Sequence, residues 1–338
     1  MKKLQQFLGI DTFRFICALL VVGVHTYPLL LISEELNFIV FHIFARIAVP
    51  FFLMATGYFV IPKHLYSDEQ KPRLPISFLK KATIIYIGAS LLYLPVSIYA
   101  GYFSEGITAI IRNIIFDGTF YHLWYLSASI IGMIIIYLLA RMFSIKTVLC
   151  ISIVLYVFGL LGDSYYGITK EIPYLNTMYS YGFQIFSYTR NGIFLAPVFL
   201  ILGGWIAKEK QNRSITLNIT LFAVSLLLML TEGIFLSINE VTRHDSMYIF
   251  LLPCMYFLFS FLTQCHGRSN PMLREVSMYV YILHPMMIIA IRGFVRIIGF
   301  GNLLVSNSIV HYLAVCFLSI LLSIIIIKLF KIIKTHKK

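Results

Sequence analysis

Charge is what this chain lacks. Of its 338 residues only 12% are charged, and 14 Asp and Glu stand against 27 Lys and Arg. A soluble domain of this length carries about a quarter charged residues. With 59% hydrophobic residues and a mean hydropathy of +0.87, no water-facing surface of ordinary composition can be built. Tryptophan is scarce too, with two residues, and the five cysteines (Cys17, Cys150, Cys254, Cys265, Cys316) show no paired spacing. That spacing excludes a disulfide framework and a CxxC metal site, and the thiols read as buried and inert. A Walker loop, a dinucleotide fingerprint, an HExxH metal motif and a serine nucleophile elbow are also missing. The expectation is therefore no metal and no bound cofactor.

What is present is apolar sequence, in windows long enough to cross a hydrocarbon core about 30 Å thick. Ten spans are predicted, at 10–32, 38–61, 80–101, 121–141, 147–161, 191–207, 215–236, 247–264, 276–299 and 309–331. The fold class is all-α, a polytopic membrane bundle in one domain over residues 1–338. The first apolar stretch runs past twenty residues, with no small-x-small cleavage site before Pro28, so it reads as a span and not a signal peptide.

The net charge of +13 is explained by where the cations fall. Lys2, Lys3, Lys63, Lys71, Arg73, Lys80, Lys81, Arg141, Lys146, Lys208, Lys210, Arg213, Arg268, Arg274, Lys328, Lys331, Lys334, Lys337 and Lys338 all lie in connections on the side of the N-terminus. They are 19 of the 27 Lys and Arg, which by the positive-inside rule puts both termini in the cytosol of a plasma-membrane protein. No basic stripe interleaved with aromatics occurs outside the spans, so no nucleic-acid partner is expected. The bilayer is the expected partner. The longest connection on the other side, Gly162 to Arg190, holds six tyrosines. It reads either as a functional loop or as an interfacial aromatic belt.

An ionisable side chain inside a span is a site hypothesis by default, because the membrane makes it costly. Arg14 and His25 lie eleven residues apart in the first span. Eleven helical steps turn through about 1100°, so both groups point the same way about 16 Å apart. A guanidinium near the cytosol suits a phosphate or carboxylate, and an imidazole deeper in suits proton transfer. The plainer alternatives are a snorkelling arginine paired with Asp11 and a histidine bonded between helices.

Arg46, His122, Trp124, Arg190, Asn191, Glu232, Asp245 and Ser246 fall in the half of the bundle opposite the cytosol. Arg46 and Arg190 can balance Glu232 and Asp245, as a site or as a structural ion network. His284 precedes Pro285 and reads as a site residue or a helix cap. Gly57, Gly192, Gly203 and Gly204 read as places where helices approach closely.

These residues sit in motifs that resemble the acyltransferase 3 family of membrane proteins. The likeness is carried by GIDTFRF with the Arg14–His25 spacing, VPFFLMATGYF (49–59), HLWYL (122–126), NGIFLAPVFLILGG (191–204) and SMYVYILHP (277–285). Thr56 stands where the family's second-span motif usually has serine, and keeps a hydroxyl. Within the family, LLGDSYYG, TRNGIF and HDSMYIFLLP look most like the membrane part of vancomycin-resistance serine/alanine racemases. In those proteins a soluble racemase domain follows, and none is expected within residues 1–338.

The resemblance implies transfer of an acyl group, often acetyl from a cytosolic acyl-CoA co-substrate, to a hydroxyl acceptor. Arg14 would hold the donor and His25 would be the general base. Arg46 and the His122–Trp124 motif would line the acceptor or stabilise the oxyanion. The racemase-like subgroup implies an alternative, the binding or transport of L-serine, and the mixed charges of Arg46, Arg190, Glu232 and Asp245 suit a zwitterion.

Overall fold

In the computed structural model the described residues are 7–67, 71–102, 106–209, 212–268, 270–299 and 304–336. Lys2, Lys3, Lys210, Lys337 and Lys338 of the charge map lie outside them, and the Lys334 side chain is not described. Among the described residues there is no strand, and every predicted span contains a helix. They are α1 (Leu8–Thr26), α2 (Glu34–His64), α3 (Ile76–Tyr99), α5 (Trp124–Ala140), α6 (Ile145–Leu161), α9 (Ala196–Lys208), α10 (Ile215–Ile238), α11 (Leu251–Gln264), α12 (Pro271–Ile298) and α13 (Ser308–His336). Among the described residues, the shorter α-helices α4 (Ile107–Arg112), α7 (Tyr166–Thr169) and α8 (Pro173–Ile185) lie in the connections. The last two fill much of the tyrosine-rich connection expected as a loop.

Six helices (α1, α2, α3, α10, α12, α13) are long and apolar enough to cross a membrane, and the chain is a multi-pass helical membrane protein. The other four, α5, α6, α9 and α11, have 17, 17, 13 and 14 residues. Three of these four begin later than the apolar run predicts. The stretch before α9 is a turn because the Asn191 carboxamide oxygen accepts the Ile193 and Phe194 N–H groups, at 2.9 and 3.2 Å. The 239–250 segment before α11 is likewise non-helical. Such backbone is tolerated at membrane depth only where protein groups satisfy its N–H and C=O. Helix α1 stops six residues short of its predicted end. Pro28 disfavours helical geometry at the residue before it, and Tyr27 turns left-handed at φ 50°.

The chain divides into two compact units, a terminal one (Met1–Ala48 with Leu258–Lys338) and a central one (Val49–Phe257). In the terminal unit α12 packs against both α1 and α13. Gly9 lets α1 meet the backbone at Leu262, where a Cβ would lie 2.6 Å from the carbonyl oxygen. The first part of α2 is irregular, π-helical over Phe38–Ile43 and 3-10 over Phe44–Ile47. Pro50 follows, and a proline inside a helix offers no N–H to the carbonyl four residues earlier, that of Arg46.

In the central unit α9 packs against α5 and α6 and is buried almost end to end. The Gly57 Cα faces the Leu200 carbonyl of α9, and Gly203 faces the Met54 carbonyl of α2. Three residues onward in one helix match three residues back in the other, so the two run antiparallel with their backbones touching. The glycines expected to allow close approach do so.

The thiols depart from expectation. Cys17, Cys254 and Cys316 are buried, but Cys150 is exposed and Cys265 half-buried.

Candidate functional site

In the terminal unit, Arg14 and His25 lie on one uninterrupted helix, so the shared face computed from the sequence is real. His25 stacks on the ring of His284, centroids 5.3 Å apart and planes 15° from parallel. His284 is not a cap: it lies inside α12 and is 0% exposed. Pro285 lacks the N–H that would close the helical bond to the Tyr281 carbonyl. The His284 Nδ1–H takes that place, 2.9 Å from Tyr281 O and 3.1 Å from Val280 O. A carbonyl oxygen only accepts, so Nδ1 carries the proton and Nε2 of the neutral ring is left as an acceptor. The sequence HP thus sets a tautomer.

Arg46 sits in the 3-10 turn and its Nε donates to the His42 carbonyl at 3.1 Å. The His42 ring is stacked between Tyr27 and Phe38, at 5.7 and 5.4 Å. Asp11 holds the other end of α1: its carboxylate lies 3.5 Å from Arg274 Nε and accepts the Asn270 N–H at 3.1 Å. The terminal unit therefore contains Arg14, His25, Arg46 and His284, with His42 as a member that the sequence does not single out.

The central unit holds the remaining candidates. The Arg190 guanidinium lies 4.5 Å from the Tyr188 ring and 5.2 Å from the Trp124 ring, and its Nη1 is 3.5 Å from the Ser246 hydroxyl. His122 is 2% exposed among the rings of Tyr93, Phe120 and Tyr121, so it is packed in the wall. Trp124 acts on Arg190 as a ring, and Asn191 acts on the backbone through its turn.

Glu232 was expected to balance an arginine. Its carboxylate instead accepts the Ile249 and Phe250 N–H groups at 2.7 and 3.0 Å and the Tyr165 hydroxyl at 2.8 Å. Asp163, which the sequence reading did not place in the site, does the same work nearby. Its Oδ1 accepts the Ser246 and Met247 N–H groups at 2.7 and 3.0 Å and the Ser164 hydroxyl at 3.0 Å. Two acids thus carry the unwound segment that presents Ser246 and the half-buried Asp245. His244 in the same segment lies against the Tyr188 ring, centroids 4.5 Å apart and planes tilted by 54°. The DSYYG and HDSMYIF motifs are two sides of one brace.

A second pair was also missed. Arg112 Nε lies 3.3 Å from Asp117, whose two oxygens accept the Ser187 N–H at 3.1 Å each. Burial raises the Asp117 carboxyl above its ordinary range, while the Ser187 N–H and Arg112 oppose the shift. No local pattern around Asp117 says that residue 117 reaches residue 187.

Comparison with known proteins now bears on this arrangement. Residues 7–328 match a family described as an acyltransferase domain. An amino-acid racemase of Enterococcus faecalis is 42% identical over 341 residues, all of this chain but 47% of its own length. A second amino-acid racemase of Enterococcus faecalis is 37% identical, over 98% of this chain and 47% of its own. A serine/alanine racemase of Enterococcus gallinarum is 33% identical, over 92% of this chain and 45% of its own. The chain thus spans just under half the length of these curated relatives. No solved structure matches it. With one family covering nearly every described helix, the chain belongs to the acyltransferase 3 family of integral membrane proteins.

Proposed function

We propose that this chain is a membrane acyltransferase that moves an acyl group, acetyl in the simplest case, from a cytosolic acyl-CoA to a hydroxyl acceptor. The observation that carries the reading is the His25–His284 stack at 5.3 Å, on the same helical face as Arg14. His25 takes the proton of the acceptor hydroxyl as general base. The oxygen attacks the thioester carbonyl, the C–O bond forms, the C–S bond breaks, and the proton passes to the leaving thiolate. His284, held in one tautomer by the Val280 and Tyr281 carbonyls, keeps the His25 ring in plane. Arg14 holds the anionic donor and Arg46 the developing oxyanion. The charge count supports a plasma-membrane orientation with both termini, and so the Arg14 end of α1, on the cytosolic side.

The test is transfer of labelled acetyl from acetyl-CoA to an acid-stable ester in proteoliposomes supplied with envelope extract. His25→Ala is expected to lower the rate by about 10²–10⁴-fold, the usual contribution of a positioned base. Unchanged transfer refutes the mechanism.

A second reading is favoured by one finding, that relatives matching at least 92% of this chain are named amino-acid and serine/alanine racemases. On that reading the membrane part binds or transports L-serine. Saturable binding of labelled L-serine to the purified chain tests it, and none at millimolar ligand removes it.

A further inference from the structure

The central unit contains a cavity of about 360 Å³ lined by Tyr102, Arg112, Asp117, Tyr121, Tyr188 and Arg190, among others. Pockets that hold small ligands begin at about 300 Å³. The mechanism proposed above assigns it no step. We propose that this cavity is a binding site for a small carboxylic acid bearing hydroxyl or amino groups, its carboxylate held by Arg190 and Arg112.

Three observations carry the assignment. The walls are built and tied together. Asp117 joins Arg112 on one side to the Ser187 N–H on the other, and Arg243 Nη1 donates to the Ser187 carbonyl at 2.9 Å. The Arg190 guanidinium is steadied through its faces by Tyr188 and Trp124, at 4.5 and 5.2 Å. A guanidinium held by its faces presents its N–H edge, and that planar fork matches a carboxylate in two parallel bonds.

The third observation is the charge count. Two arginines and one aspartate line the space, a net of one positive charge when all are ionised. One carboxylate neutralises it. A phosphate of about −1.5 to −2 would overshoot and meet the Asp117 carboxylate, so the lining selects a monoanion. Tyr102, Tyr121 and Tyr188 line the space beside the arginines, and the volume exceeds what a bare carboxylate fills. The assignment holds under either reading of function, since it concerns binding alone.

The experiment is calorimetry on the full chain in nanodiscs, with no acyl donor present, so that loss of acyl transfer and loss of this site are separate results. The probes are L-serine and D-glucuronate, an amino acid and a sugar acid, with D-glucose and inorganic phosphate as comparators. At least one of the two carboxylates is expected to bind saturably, and which one identifies the source. D-glucose should not bind, and phosphate should bind more weakly. Arg190→Gln and Arg112→Gln should each weaken binding at least tenfold, with Arg190→Lys between wild type and Arg190→Gln. A second measurement needs no variant: bound carboxylate should slow phenylglyoxal modification of Arg190 and Arg112, mapped by mass spectrometry. Failure of both carboxylates to bind, phosphate binding more tightly than either, or binding indifferent to both arginines and to phenylglyoxal overturns the proposal.

Discussion

Asp163 offers the sharpest test of how the short helices are sustained. It is 0% exposed, and Oδ1 is the acceptor for the Ser246 and Met247 N–H groups, at 2.7 and 3.0 Å. In Asp163→Ala both donors lose that acceptor in a place water does not reach. A buried unsatisfied group costs about 1–3 kcal/mol, so the variant should lose about 2–6 kcal/mol. The Ser164 hydroxyl adds little, since it also reaches the His244 carbonyl at 3.2 Å. Asp163→Asn keeps a carbonyl oxygen at the same place and loses only the charge assistance, about 1 kcal/mol. The assay is reversible unfolding in mixed micelles followed by tryptophan fluorescence. Both tryptophans, Trp124 and Trp205, belong to the central unit with Asp163, so the signal reports the unit under test. Asp163→Ala within 0.5 kcal/mol of wild type, against the 1–3 kcal/mol expected per orphaned donor, would refute the brace. So would an asparagine as damaging as alanine.

Three further outcomes follow from the same geometry. Gly203→Ala and Gly57→Ala each put a Cβ against a backbone carbonyl that cannot rotate away, so each should cost about 1–3 kcal/mol or more; because both open one crossing, the double variant should cost less than the sum in the same unfolding assay. Pro285→Ala restores an N–H for the Tyr281 carbonyl and competes with His284 Nδ1–H; the 15N shifts of labelled histidine should then show a mixture of His284 tautomers, and an unchanged spectrum would show that the proline does not set the tautomer. Asp117 has a folded pKa raised above its unfolded value by burial, so it contributes stability that is present below its ordinary carboxyl range and lost as pH rises through the folded value. The groups facing it are Arg112, the Ser187 N–H and, further off, Arg243. Asp117→Asn should flatten the pH dependence of stability just above pH 4 and tighten carboxylate binding in the cavity; weaker binding would mean that Asp117 contacts the ligand.

The ten helices were legible because their signal is local. An apolar run of about twenty residues has few other outcomes. The ends were less so. Helix α1 ends early at a visible Pro28, but α11 begins late because of Asp163 and Glu232, which lie far back in the chain. Periodicity told that Arg14 and His25 share a face, and could not tell that the face meets His284, since helix partners are fixed by tertiary packing. Motif likeness gathered the right stretches without saying which residues act on the chemistry and which on the backbone. His122 and Asn191 look alike as conspicuous polar residues, yet one is walled in by rings and the other closes a turn.

That distinction changes how the charged residues divide between tasks. An ionised group in a membrane is kept only where something repays its desolvation. Glu232 and Asp163 are repaid by backbone N–H groups and Asp117 by Ser187 and Arg112, so these carboxylates are committed before any ligand arrives. The zwitterion argument from the sequence drew on Glu232 and Asp245 as partners for an ammonium group, and the first of these is taken. With it engaged in bracing the 239–250 segment, the central unit offers positive charge at Arg190 and Arg112 more readily than negative. A ligand there is recognised through its carboxylate first. What selects between an amino acid and a sugar acid is then the tyrosine wall, where a hydroxyl-rich ring has more surface to use than serine does. If serine nevertheless binds more tightly than glucuronate, its ammonium group has an acceptor, and Asp117→Asn should abolish that preference.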